Sequence, residues 1–138
     1  MIRKYKFLEH TADIKFQAFG KTIEETFENS ANALIKSIYS KKIKEKITKQ
    51  IDINSKDFES LLYKFLEEII ILIDTNRFLC SKVKEVKIDK KHLILTATLA
   101  GDNSEKYEIE THVKAITFSE MFVKQIGKKW ISQVVIDI

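Results

Sequence analysis

Two stretches of the chain repeat their apolar residues every three or four positions, while nearly all the rest alternate every second position, and that division limits the fold to helices laid on sheet. The first helical stretch takes Ile23, Phe27, Ala31, Leu34, Ile35 and Ile38, with Glu24, Glu28, Asn32 and Lys36 on the other side. Thr22-Ile23-Glu24-Glu25 precedes it as a capping box, in which the Thr22 hydroxyl accepts from a backbone N–H of the first turn. The second stretch, Phe58, Leu61, Leu62, Phe65, Leu66, Ile69, Ile70 and Ile73, is apolar enough to be mostly buried, and Ser55 or Asp57 can cap it.

Strand-like alternation covers Tyr5 to Glu9 and Asp13 to Phe19, ending at the turn residue Gly20. It returns at Ile47 to Ile53, at Phe78 to Ile88 and at Leu93 to Leu99, with Asp89-Lys90-Lys91-His92 as a hairpin turn between the last two. A break at Gly101-Asp102-Asn103-Ser104 leads to a strand through Tyr107, Ile109 and Thr111. Met121 to Ile126 and Trp130 to Ile138 close the chain around Gly127-Lys128-Lys129. The resulting order, β-β-α-β-α-β-β-β-β-β, predicts an α+β domain with two helices packed on a mainly antiparallel sheet. No glycine-rich nucleotide loop interrupts it, which argues against a Rossmann or Walker-type fold.

Length and composition sharpen this. With 138 residues, 3 glycines and no proline there is no linker to cut the chain, so residues 1–138 are expected to form one domain. No apolar run approaches a membrane span, and Met1-Ile2-Arg3-Lys4-Tyr5-Lys6 is not followed by the core of a signal peptide, so a cytoplasmic protein without membrane contact is expected. The lone Cys80, among Phe78, Leu79 and Val83, reads as a buried inert thiol and excludes an internal disulfide. A net charge of +4 is too nearly balanced to point to nucleic acid. Lys41, Lys42, Lys44, Lys46 and Lys49 crowd one connection, where a solvated turn is the commoner outcome.

The chemistry lies at the two ends of the chain. Asp13 stands in His10-Thr11-Ala12-Asp13-Ile14, and Asp137 interrupts the apolar run Val134-Val135-Ile136-Asp137-Ile138. A cap or turn role is ordinary for one aspartate at a strand end, but Asp137 turned inward would need a cation or a lysine as partner. If the first and last strands pair, Asp13, Asp137 and the terminal carboxylate of Ile138 converge, an oxygen-only set suited to a hard divalent ion. Lys114, flanked by apolar residues, can pair with an aspartate or stand outward on a buried stem. His10 lies close enough in sequence to support the acidic site, although a hydrogen-bonded core histidine is the commoner fate. His10, His92 and His112 are too scattered for a histidine metal centre, and no nucleophile elbow occurs.

These residues resemble those of the archease family. The resemblance runs through Phe7-Leu8-Glu9-His10-Thr11-Ala12-Asp13-Ile14, Gly20-Lys21-Thr22-Ile23-Glu24-Glu25-Thr26-Phe27-Glu28-Asn29, Glu59-Ser60-Leu61-Leu62, Val113-Lys114-Ala115-Ile116-Thr117-Phe118 and Gln133-Val134-Val135-Ile136-Asp137-Ile138. It implies a protein with no reaction of its own that promotes guanylylation and turnover of an RtcB-type RNA ligase in tRNA splicing. The ligase, not this chain, would hold GTP and bring the tRNA. The resemblance also implies a divalent metal, commonly calcium, on Asp13, Asp137 and Ile138, with His10 and Lys114 on the functional surface. The segment Lys41 to Lys49 is more basic than the family pattern, and Phe118 stands where tyrosine is frequent. Three other roles remain open: a chaperone or specificity modulator of a tRNA-modifying methyltransferase, a direct RNA-binding module, and a metal-dependent hydrolase.

Overall fold

Both helices start on caps that the sequence supplies. The computed structural model, which describes residues 3–9 and 12–138, places α1 at Ile23–Ile38 with the Thr22 hydroxyl accepting from Glu25 N–H at 3.1 Å. Asp57, rather than Ser55, caps α2 at Phe58–Asn76, its Oδ1 accepting from Ser60 N–H at 2.8 Å. Ser55 instead shares a hydrogen bond with the Ser60 hydroxyl.

The strands are β1 (Tyr5–Leu8), β2 (Ile14–Gly20), β3 (Ile47–Asn54), β4 (Phe78–Asp89), β5 (Ile94–Asn103), β6 (Ala115–Ile126) and β7 (Lys129–Asp137). They confirm the α+β class, and every pairing is antiparallel. They form two sheets, however, in the orders β1-β2-β7-β6 and β3-β5-β4. Each helix touches both: α1 packs on β2 and β4, and α2 on β6 and β4. Burial from two directions explains why α1 hides Thr26, Asn29 and Ser30 as well as its apolar stripe. Those polar groups are satisfied there, as burial requires. Asn29 donates to the Phe19 carbonyl at 2.7 Å, and the Ser30 and Ser132 hydroxyls meet at 2.7 Å. On α2, Leu61, Leu62, Phe65, Leu66, Ile69 and Leu72 are buried, each side chain contributing about 1.5–3 kcal/mol on removal from water.

Three local expectations are corrected. Gly101-Asp102-Asn103 is not a break but the end of β5, with Gly101 opposite Cys80 and Ile47. A Cβ on Gly101 would lie 2.1 Å from the Leu79 carbonyl oxygen, so this glycine permits close approach of two strands. The segment through Tyr107, Ile109 and Thr111 is not a strand. Its amides bond to the end of α1 instead, Glu110 and Thr111 both donating to the Ile38 carbonyl at 3.0 and 3.3 Å. Finally, β6 begins at Ala115, well before Met121, and carries a wide bulge between the Thr117↔Val135 and Phe122↔Gln133 pairs.

Other features follow the sequence. Cys80 is fully buried, and burial pushes its thiol up to about 12, which keeps it protonated at neutral pH. Among the described residues no helix is long and apolar enough to cross a membrane. Gly127, at φ +62°, makes the β6–β7 turn with open space around it. The two glycines therefore predict different outcomes on replacement by alanine. Gly101→Ala forces backbone apart and should cost roughly 3 kcal/mol, lowering the thermal midpoint by about 10 °C. Gly127→Ala meets only left-handed backbone strain and should cost about 1 kcal/mol; calorimetric scans of both variants would show it, and equal midpoints would contradict the close-approach role.

Candidate functional site

The four-stranded sheet sorts its residues by parity. Phe16 and Ala18 of β2, Ile116 of β6, and Val134 and Ile136 of β7 are buried, and all but Ala18 join the main core. The alternate positions lie on the opposite, outer face, where Gln133 and Val135 are buried too but outside the main core. That face carries Lys15 and Gln17 from β2, Gln133, Val135 and Asp137 from β7, and Ala115 and Thr117 from β6.

The register carries both aspartates to one end of this face. Ile14 pairs with Ile136 as the last pair of the ladder, and continuing that register by one step brings Asp13, in the bend that leads into β2, opposite Asp137. The strand that pairs with β7 is β2, not the first strand, which lies on the far side of β2. Both aspartates are half-buried and Ile138 is exposed. Asp137 thus points away from the core, on the parity that the sequence left open.

Two further segments frame the pair. Ala12 precedes Asp13 at φ +65°, a left-handed conformation that costs a residue with a Cβ about 1–2 kcal/mol and turns the chain into β2. On the other side Ala115 pairs with Asp137, and Lys114 N–H donates to the Asp137 carbonyl at 2.8 Å. Lys114 is therefore locked to the acidic end through its backbone while its side chain is exposed. His10 lies outside the described residues. His92 closes the β4–β5 turn on Asp89, its Nδ1 2.9 Å from Oδ2, and His112 is exposed.

The donor set is all oxygen and fits a hard cation. Among the described residues no three His, Cys, Asp or Glu side chains gather at one point. Side chains would then supply two carboxylates, and main-chain oxygen and water the rest. The Asp137 carbonyl accepts from Lys114 N–H and the exposed Ile138 follows it, so main-chain oxygens of both residues lie at this end.

Sequence reasoning passed over Glu120. It sits in the β6 bulge at φ +54°, and its Oε1 lies 3.1 Å from Lys15 Nζ, bringing an acidic residue onto the outer face. Nothing local in Thr117-Phe118-Ser119-Glu120-Met121 signals a bulge. Lys15 and Gln17 were findable, because alternation with Phe16 and Ala18 puts them on Asp13's side of the strand.

A buried carboxylate elsewhere is structural. Asp102, 2% exposed, accepts from the Tyr107 hydroxyl at 2.7 Å and from Asn103 N–H at 2.8 Å. The Tyr107 oxygen in turn accepts from Lys44 N–H at 2.9 Å, which ties down the lysine-rich connection. Ile43 is buried there and its carbonyl accepts from Ser81, so the lysines ride on an anchored backbone. The same Tyr107 begins the segment that delivers Lys114.

An α+β domain with helices between two antiparallel sheets, carrying a cross-strand carboxylate pair at a sheet end, is thus the class of protein defined here. The model of the Archease protein family matches residues 5–138. Relatives described as protein archease include one from Pyrobaculum islandicum, 37% identical over 97% of this chain and 95% of its own length. Another, from Methanosarcina mazei, is 35% identical over 99% and 97%. The solution structure of Methanobacterium thermoautotrophicum protein 1598 is similar at a TM-score of 0.83 and 34% identity, covering 98% of this chain and 99% of that one. The crystal structure of an archease and possible chaperone from Thermotoga maritima shares the fold, with a TM-score of 0.67 and 21% identity over 100% and 98% of the two chains. The chain belongs to the archease family.

The Asp102 cluster generates a pH prediction. The Tyr107 hydroxyl, then the Asn103 amide, hold the Asp102 carboxyl below its usual range, with Lys106 and Lys44 adding to this. A depressed folded value means that its stabilisation is present above the unfolded pKa of about 4 and lost as pH falls through the folded one. Tyr107→Phe removes the leading donor. Its stability deficit in urea titrations should be largest near neutrality and narrow below about pH 4; a deficit independent of pH would show that Asp102 is not what Tyr107 serves.

Proposed function

We propose that this chain is a non-catalytic activator of an RtcB-type RNA ligase of tRNA splicing, promoting guanylylation of the ligase by GTP and its multiple turnover through the acidic end of the four-stranded sheet. The observation that supports the reading is the β2–β7 register, which, continued one step past Ile14↔Ile136, brings Asp13 opposite Asp137 although 124 positions separate them (137 − 13). Membership of the archease family supports it.

In this reading the two carboxylates and the Ile138 oxygen hold a divalent ion, Ca²⁺ by the family resemblance. Bound there, the ion supplies positive charge for phosphate oxygens of a partner. The chain's own residues do the positioning. The Ile14↔Ile136 pair fixes the separation of the carboxylates, Lys114 N–H holds the Asp137 main chain, and the exposed Lys114 ammonium offers a second positive group at the tip. GTP stays with the ligase, and tRNA is reached through it. The protein would work where that ligase does, in the cytoplasm.

The test is ligase guanylylation and multiple-turnover joining with and without this protein. Asp13→Ala and Asp137→Ala should each lower the stimulation at least tenfold, about 1.4 kcal/mol of lost coupling, with circular dichroism unchanged. Full stimulation by both variants would falsify the reading. If the protein instead serves a tRNA-modifying methyltransferase, pull-down will recover that enzyme and the two variants will leave guanylylation untouched.

A further inference from the structure

Lys15 stands on the outer face two residues along β2 from Asp13, and it pairs across with Val135, which puts Asp137 on its diagonal. Same-face neighbours of this kind are roughly 7–8 Å apart, within the swing of a four-carbon ammonium arm. An ammonium resting on either carboxylate would neutralise it and repel an incoming dication. Only 16% of the Lys15 side chain is exposed, so the group has little access to water as an alternative.

In the structure the ammonium goes elsewhere. It meets Glu120 Oε1 at 3.1 Å. Glu120 is held at that spot by its own backbone: the bulge supplies the extra chain, φ is +54°, and Gln133 Nε2 donates to the Glu120 carbonyl at 2.7 Å. Gln133 is itself steadied by Gln17, whose Nε2 donates to Gln133 Oε1 at 2.9 Å. A relay of three polar contacts thus runs across the outer face and ends on the lysine beside the acidic pair.

We infer that Glu120 is a positioning residue that keeps the Lys15 ammonium off Asp13 and Asp137, and so sets the affinity of that pair for a divalent cation. The inference rests on the proposed reading of the pair as a cation site. It assigns opposite effects to the two members of one ion pair: loss of Glu120 frees the ammonium to compete, whereas loss of Lys15 removes the competitor.

Isothermal titration of the full chain with calcium chloride and with manganese chloride tests this. Glu120→Gln should weaken binding on the order of tenfold, the effect of one unit charge on a dication about 7 Å away in a surface environment. Lys15→Met should bind as tightly as the wild type or more so, and the double variant should recover most of the affinity that Glu120→Gln loses. A purely structural ion pair would weaken binding in both single variants, with no rescue in the double, and that pattern overturns the inference. Equal affinity of Glu120→Gln and wild type also overturns it while leaving the cation site standing. If neither ion binds the wild type or Lys15→Met, the cation site itself falls and takes the inference with it. Thermal midpoints within a few degrees of the wild type show that each variant is folded.

Discussion

The pairing of β2 with β7 is the constraint on which the rest of the molecule depends. It joins the second strand to the last and brings Ser132 to Ser30 of α1. Its register is set by burial. A slip of one residue would turn Phe16, Ala18, Val134 and Ile136 to the outer face and bring Lys15, Gln17 and Gln133 into the core. The energetic case for that register is therefore apolar, amounting to several side chains at about 1.5–3 kcal/mol each. The approach of Asp13 to Asp137 follows from it, against the repulsion of two like charges, since both lie one step beyond the Ile14↔Ile136 pair.

Around that pairing, two of the four described non-glycine residues at positive φ border the functional end, while Arg77 ends α2 and Leu93 lies in the β4–β5 turn. Ala12 and Glu120 both carry positive φ, and each borders the outer face near the acidic pair. Residues of this kind persist only where the surroundings over-determine them. Glu120 has its Gln133 contact, and the segment from Tyr107 to Lys114 is fastened at both ends and at Ile38. A packed two-sheet scaffold thus borders its acidic end with two irregular segments, as expected when a binding surface sits on a packed frame.

The helices were legible because each carries its own evidence: a cap and a period. Most strands were legible for the same reason, through alternation. The errors fell where a residue's role depends on a neighbour distant in sequence. Gly101 has the composition of a turn but is needed for the approach of Leu79. Tyr107, Ile109 and Thr111 alternate like a strand, yet the first serves Asp102 and Lys44 and the segment bonds to the end of α1. The bulge at 118–121 has no local signature, because it exists only against Val134 of the adjacent strand. Division of the strands into two sheets was equally hidden, since periodicity reports that one face of a strand is covered but not by which layer.

The sequence by itself determined two capped helices, the run of antiparallel strands, the buried thiol and the acidic residues near each end, because these rest on local periodicity and on side-chain chemistry that each residue carries with it. Tertiary structure alone decided that β2 is the partner of β7, that Asp13 is therefore brought to the Asp137 end of the sheet, and that Glu120 reaches Lys15. The physical reason is that register is settled by the burial of whole strands against both helices, a sum over residues far apart in the chain, and the polar contacts of the outer face are placed by that sum rather than by their own sequence neighbours.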